Sequence, residues 1–255
     1  MVMAMPDIIT ANTAGTMSTD VLPNGQWFRW GVVVACFLVG CLLVIGAIPR
    51  IAAHSAVLPA GATIRALDEG RALPREEAVA AYDAYTKALS WRPEDSALLQ
   101  NRARLAGRLA LLDAQVAPRW REGALEDFRD ALAAAPGDGA VWARFAQAEL
   151  EAGVGTEAVL DHLRLARLTA PRRASALLPQ FAIVMRHWDE MPEDMRAHGL
   201  GNALAFWSRR AYRPLLVSIY LDAGFEARAA FRERLGERPS ALRQFDSQLA
   251  SGFNR

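Results

Sequence analysis

Four histidines, His54, His162, His187 and His198, are the side chains of this sequence best suited to ligate a metal or carry a proton. Two ligands on one helical face need a His-x-x-x-His or Glu-x-x-His spacing, and neither occurs. Asp189-Glu190 and Glu193-Asp194 offer paired carboxylates, but acids clustered at a helix start serve the exposed N–H groups and the helix dipole. Gly153-Val154-Gly155 follows no strand, so it reads as an inter-helix turn rather than a phosphate loop. No serine has the strand–turn–helix context of a nucleophile elbow. The two cysteines, Cys36 and Cys41, fall inside an apolar run, which leaves the rest of the chain without a disulfide framework or thiolate metal site. The expectation is a non-enzyme with no catalytic residue, no cofactor and no metal.

Five tryptophans, Trp91, Trp120, Trp142, Trp188 and Trp207, lie beyond the apolar run. They suit either a sugar-stacking surface or the gaps between packed helices, and helical repeats favour the second. Charge points away from nucleic acid. The net charge is +1, acids nearly match bases along the chain, and Lys87 is the only lysine. With 52% hydrophobic and 22% charged residues in 255, the chain can build one or two domains with a true core.

The elements that must position any site begin with RWGVVVACFLVGCLLVIGAIPR, which has no charged residue from Trp30 to Ile48. At about 1.5 Å per residue, such a helix covers nearly the whole ~30 Å hydrocarbon layer of a bilayer. Trp27 and Trp30 suit the headgroup region at one end, and Pro49-Arg50 closes the other. A cleaved signal peptide would carry a basic leader and a shorter apolar stretch, whereas Met1 to Phe28 has no Lys or Arg. Leu38-Val39-Gly40-Cys41 resembles a lipobox, but the run continues through Leu42-Leu43-Val44-Ile45 where a lipoprotein turns polar. Apolarity all round the helix argues against a buried soluble helix. Arg29 on one flank against Arg50 and Arg65 on the other slightly favours a cytoplasmic C-terminal domain and leaves orientation open. Gly31 and Ala35, four residues apart, are the candidate contact for a second membrane helix. The leader, rich in Thr, Asn, Gly and Pro, reads as a disordered tail in which Met17 is a possible start.

Beyond the span the pattern is helical to the end, with no alternating run of useful length. Three segments, AAYDAYTKALSWRPED, GALEDFRDALAAAPGD and AVLDHLRLARLTAPRR, align on their prolines. Ala81, Tyr85, Ala88 and Pro93 fall at relative positions 0, 4, 7 and 12, as do Ala124, Phe128, Ala131 and Pro136. Val159, Leu163, Ala166 and Pro171 repeat the spacing. Positions 0, 4 and 7 share one helical face, where small residues admit a neighbouring helix, and the proline ends the helix. Each unit therefore reads as a helical hairpin, with Leu98-Leu99 in one second helix and Trp142 with Phe145 in the next.

These residues resemble the tetratricopeptide repeat family over roughly Ile64 to Thr169. The best unit is Ala124, Phe128, Ala131 and Pro136, with Trp142 opening the next. The 43 residues from Pro93 to Pro136 exceed the family's period and imply an inserted loop around Asp113 to Arg119, and the family's first-helix glycine and tyrosine are missing. The resemblance implies a superhelix whose inner groove carries Arg144, Gln147 and Glu151, a peptide-binding surface or a solvated helix face. After Pro171 two helices split at Met191-Pro192-Glu193-Asp194, followed by helices broken at Gly224 and at Gly236 to Pro239, read as a helical cap. The stretches HWDEMPEDMR and LGERPSALRQF also resemble membrane-anchored tetratricopeptide proteins of bacterial exopolysaccharide assembly, which implies an inner-membrane protein with a periplasmic domain.

The expected fold is all-α: one N-terminal transmembrane helix, then a tetratricopeptide-like helical-hairpin solenoid with a helical C-terminal cap. The boundaries are a leader at 1–26, the transmembrane helix at 27–49, a linker at 50–63, repeats at 64–171 and a helical extension at 172–255. The expected function is a membrane-tethered scaffold for protein partners of an envelope or exopolysaccharide assembly complex, touching the bilayer through 27–49. The alternative is a structural subunit held in a larger membrane complex through its transmembrane helix.

Overall fold

A computed structural model describes residues 24–252, with side chains described for 29–250. Of the leader at 1–26, residues 1–23, including Met17, lie outside the described residues, and Asn24 to Gln26 belong to a helix rather than a disordered tail. Among the described residues the regular structure is all helix, with no strand. The chain divides into two compact units, Met1–Ala47 and Ile48–Arg255.

The first unit holds most of α1 (Asn24–Val57). Its most apolar window has a mean hydropathy of 2.9, and none of that window is buried. Phe37 and Leu43 are each 70% exposed and Leu42 68%. So much contiguous apolar surface is foreign to a water-facing helix. This is one helix long and apolar enough to cross a membrane. Pro49 does not close it: the helix continues to Val57, although proline has no N–H to give to the Ile45 carbonyl.

The segment 50–63 read as a linker is helical. After α1 comes a 3-10 turn, Leu58–Ala60, and then α2 (Gly61–Asp68), with Ala53, Ala60 and Thr63 buried. Pro59 and Gly61, which look like breakers, stand where a helix begins, and there proline's fixed φ and missing N–H cost nothing. Gly70, at φ 66°, closes α2: its N–H bonds the Leu67 carbonyl and the Arg71 N–H bonds Ala66, a Schellman ending.

Six helices follow in succession: α3 (Arg75–Leu89), α4 (Ser96–Leu112), α5 (Ala117–Ala134), α6 (Gly139–Glu151), α7 (Thr156–Thr169) and α8 (Ala174–Arg186). The three prolines of the repeat stand in equivalent turns. In each, the N–H two residues after proline bonds the carbonyl of the residue before it: Asp95 to Arg92 at 3.3 Å, Asp138 to Ala135 at 3.1 Å, and Arg173 to Ala170 at 3.3 Å. Proline's fixed φ suits the second position of such a turn. Asp95 then caps α4 by accepting from the Ala97 and Leu98 N–H groups, and Asp138 caps α6 from Ala140. Arg173 has no capping oxygen, and α8 starts without that bond.

All nine residues at positions 0, 4 and 7 are buried, from Ala88, Ala131, Val159, Leu163 and Ala166 at 0% exposure to Tyr85 at 5%. The inserted loop is absent as a loop. The extra residues lengthen α4 to 17 residues and α5 to 18, with only Asp113–Val116 between them. Pro118 sits in the first turn of α5, so it starts a helix where the sequence suggested a break. α4 and α5 are antiparallel and clamped by Arg102 and Asp127, whose guanidinium and carboxylate meet through two hydrogen bonds of 2.8 and 2.5 Å. Asp127 is 4% exposed, so the pair is part of the interior.

The C-terminal part breaks at Met191-Pro192, at Gly224 and between Gly236 and Pro239, and it has further breaks besides. A 3-10 turn at Trp188–Glu190 precedes α9 (Glu193–Gly201) and α10 (Ala203–Ser208). Another at Arg210–Tyr212 leads into α11 (Arg213–Asp222), α12 (Phe225–Gly236) and α13 (Pro239–Gly252). These helices pack on α8 through an aromatic core: Phe181 against Phe206 and Phe231, and Trp207 edge-on to Phe245 at 5.4 Å.

Candidate functional site

The second unit contains a cleft of about 680 Å³, and Arg144, Gln147 and Glu151 all line it. Their spacing of three and four along α6 puts them on one face. α4 forms the adjacent wall with Arg104, Gly107, Arg108 and Leu111, and α2 contributes Leu67 and Asp68. Opposite stand Leu178 and Pro179 of α8, Tyr212, and Leu215 and Ile219 of α11. The groove expected along the inner helices is thus bounded by α2 on one side and by the C-terminal helices on the other. Its volume is that of a small-molecule site.

Sequence reasoning missed the contributions of α2, α4 and α11. Arg104 and Arg108, one turn apart with Gly107 between them, were the visible signal on α4. Nothing local marks Asp68 or Leu215, because only long-range packing brings them in. Pro179, inside α8, has no N–H for the Ser175 carbonyl one turn earlier, and both residues line the cleft.

The electrostatics are uneven. Arg104 is satisfied, donating to Asp68 at 2.5 Å and to Asn101 at 3.2 Å. Arg144 reaches the same Asp68 oxygen only at 3.8 Å. Burial first, and then the neighbouring Arg104 charge, push its guanidinium down to about 10, with Asp68 and Asp138 opposing. It remains protonated at neutral pH but poorly compensated. The buried Nε of Arg108 has no hydrogen-bond partner. Glu151 accepts from Gln147 Nε2 at 2.8 Å, and burial raises its pKa against the lowering effect of that bond and of Arg186 and Arg121.

The other residues singled out have packing partners. His162 Nδ1 lies 2.7 Å from Glu149 across α6 and α7, and its ring stacks on Trp142. Trp142 Nε1 donates to the Pro136 carbonyl at 2.8 Å, tying the repeat turn to the following helix. Trp120 packs edge-on to Tyr82, Arg196 covers Trp188, and Trp207 is 2% exposed, whereas Trp91 is 49% exposed. Glu193 and Asp194 open α9, and Glu190 accepts from Thr156. Gly153, at φ 90°, closes α6 with bonds from Gly153 N–H to Leu150 and Val154 N–H to Glu149. Among the described residues no three His, Cys, Asp or Glu side chains converge on a point that would hold a metal.

Gly31 and Ala35 are placed on exposed helix in the first unit, and a methyl group at Gly31 would meet nothing within 4 Å. A facing helix would find room there.

The chain matches no protein-family model, no curated protein and no solved structure.

Proposed function

We propose that this protein is a non-catalytic, membrane-tethered scaffold, anchored by α1, whose helical-hairpin unit receives protein partners at the mouth of the cleft. The observation that carries this reading is the convergence of Arg144, Gln147 and Glu151 with Arg104, Arg108 and Asp68 in one cleft. That convergence gathers charge and apolar surface in one place, and rigid hairpins hold it. The buried repeat positions and the equivalent proline turns support a tetratricopeptide-like solenoid as the frame. Tethering raises the effective concentration of such a unit near membrane partners, so modest affinity suffices. We place the unit in the periplasm, anchored in a bacterial inner membrane and serving envelope or exopolysaccharide assembly.

The test is Arg144→Glu in the full chain, followed by affinity capture from membranes. Partner recovery should fall while the protein stays folded and membrane-bound; unchanged recovery would remove the cleft from the account. The second reading, a subunit held through its transmembrane helix, is favoured by the open space at Gly31 and the small side chain of Ala35. Gly31→Leu with Ala35→Leu would then release the protein from its complex, and Arg144→Glu would do little. Protease added outside spheroplasts should remove the helical unit if it is periplasmic, and should spare it if the unit faces the cytoplasm.

A further inference from the structure

The cleft is better furnished for a small ligand than a protein-docking face requires. Three guanidiniums, those of Arg104, Arg108 and Arg144, line it against two carboxylates, Asp68 and Glu151. Asp68 is committed to Arg104 at 2.5 Å and stands 3.8 Å from Arg144, and Glu151 is engaged by Gln147. Arg108 and Arg144 are thus left with donors that nothing in the protein accepts well, in a partly desolvated space. Charge-assisted hydrogen bonds from guanidinium to an anion are among the stronger ones, so an anion entering the cleft meets donors that no protein acceptor holds closely. Around them the wall is apolar: Leu67 and Leu111 on one side, Leu178, Leu215 and Ile219 on the other. A volume of about 680 Å³ falls in the range of pockets that enclose small molecules.

We propose that the cleft is a binding site for a small amphiphilic anion, a carboxylate or phosphate on an apolar body, with its charged group held by Arg108 and Arg144. The apolar body lies against Leu178, Leu215 and Ile219. Two sources supply this chemistry: a soluble amphiphile and an anionic bilayer lipid. The site stands on the cleft itself and holds whether or not a protein docks at its mouth.

The experiment uses the full chain in nanodiscs of neutral phosphatidylcholine and titrates it with 4-phenylbutyrate and with its uncharged analogue 4-phenylbutanol, read by calorimetry. The carboxylate should bind at least tenfold more tightly than the alcohol, and Arg144→Gln or Arg108→Gln should abolish that preference while Arg144→Lys retains part of it. The acid–alcohol comparison needs no variant, so a variant that fails to fold does not spoil the test. Nanodiscs containing phosphatidylglycerol separate the sources: weakened 4-phenylbutyrate binding there assigns the site to lipid, and unchanged binding assigns it to a soluble anion. Equal affinity for acid and alcohol, or no binding of the acid at millimolar concentration, would overturn the proposal. Neither result touches the capture of a protein partner, which Arg144→Glu tests in membranes.

Discussion

Gly139, at the start of α6, sits tightly against the end of α7, and replacing it with alanine measures that approach directly. A β-carbon there would lie 2.6 Å from Ala170 Cβ, 2.7 Å from the Ala166 carbonyl oxygen and 2.7 Å from Thr169 Oγ1. None of the three can retreat cheaply. The Ala166 carbonyl accepts from the Ala170 N–H at 3.0 Å, the Thr169 hydroxyl bonds Leu165 at 2.7 Å, and Ala170 is packed with Ala140 and Ala176. The end of α7 must therefore back away from the start of α6. Overpacking of this kind costs about 1–3 kcal/mol, and the upper end applies where backbone is the obstacle. Better helix propensity returns at most about 1 kcal/mol. The net expectation is about 2 kcal/mol of destabilisation, a fall in Tm of roughly 4–8 °C for a unit of this size. Gly123, inside α5, is the control. Its β-carbon would meet nothing within 4 Å, so Gly123→Ala should raise Tm by a few degrees, from about 1 kcal/mol of propensity. Thermal unfolding of the full chain, followed by circular dichroism in detergent, reads both. If Gly139→Ala matched Gly123→Ala in sign, the close contact between α6 and the end of α7 would be refuted.

Ala131→Trp places an indole at a position with 0% exposure in the core shared by α4, α5 and α6, and should cost several kcal/mol, seen as a large loss of Tm. Asp127→Ala removes the carboxylate that Arg102 clamps between α4 and α5; breaking a buried pair of this kind costs about 3–5 kcal/mol, measurable by urea unfolding. Glu151 has a pKa raised by burial, so the native state holds its proton more tightly than the unfolded chain does. That contribution to stability is present in acid and is lost as pH rises above the ordinary carboxylate range through the raised folded value. Glu151→Gln should therefore gain stability relative to wild type at neutral pH and lose the advantage in acid, and a difference between the two proteins that does not change with pH would contradict the burial argument.

The helix ends at Pro93, Pro136 and Pro171 were legible because their signals are local. Small residues at positions 0 and 7 are buried by a close neighbour, and the proline at position 12 falls where the helical face has already run out, so Ala124, Ala131 and Pro136 carry their own interpretation. The misread segments contain the same residue types in other roles. Pro49 lies inside α1, whereas Pro59 stands in a 3-10 turn and Pro118 in the first turn of α5, where proline's missing N–H costs nothing. The 43-residue spacing was visible, but whether the surplus becomes loop or helix depends on LAGRLALL continuing a good helix-forming run to Leu112. Arg144, Gln147 and Glu151 came from the inner face that the tetratricopeptide resemblance implies for α6, where their spacing of three and four puts them together. The walls facing them were not legible, since Asp68 and Leu215 are separated from α6 by long stretches of chain and meet it only through packing.

A photo-crosslinking side chain placed at Gln147 of the full chain, in native membranes, tests the central claim most directly, with the exposed α7 position Leu168 as the outer-face reference. The account predicts a discrete protein adduct from position 147 that disappears in the Arg144→Glu background and is not formed from position 168. Adducts formed only from positions 31 and 35 of α1, with none from 147, would contradict it and leave the reading of a subunit held through α1 in its place.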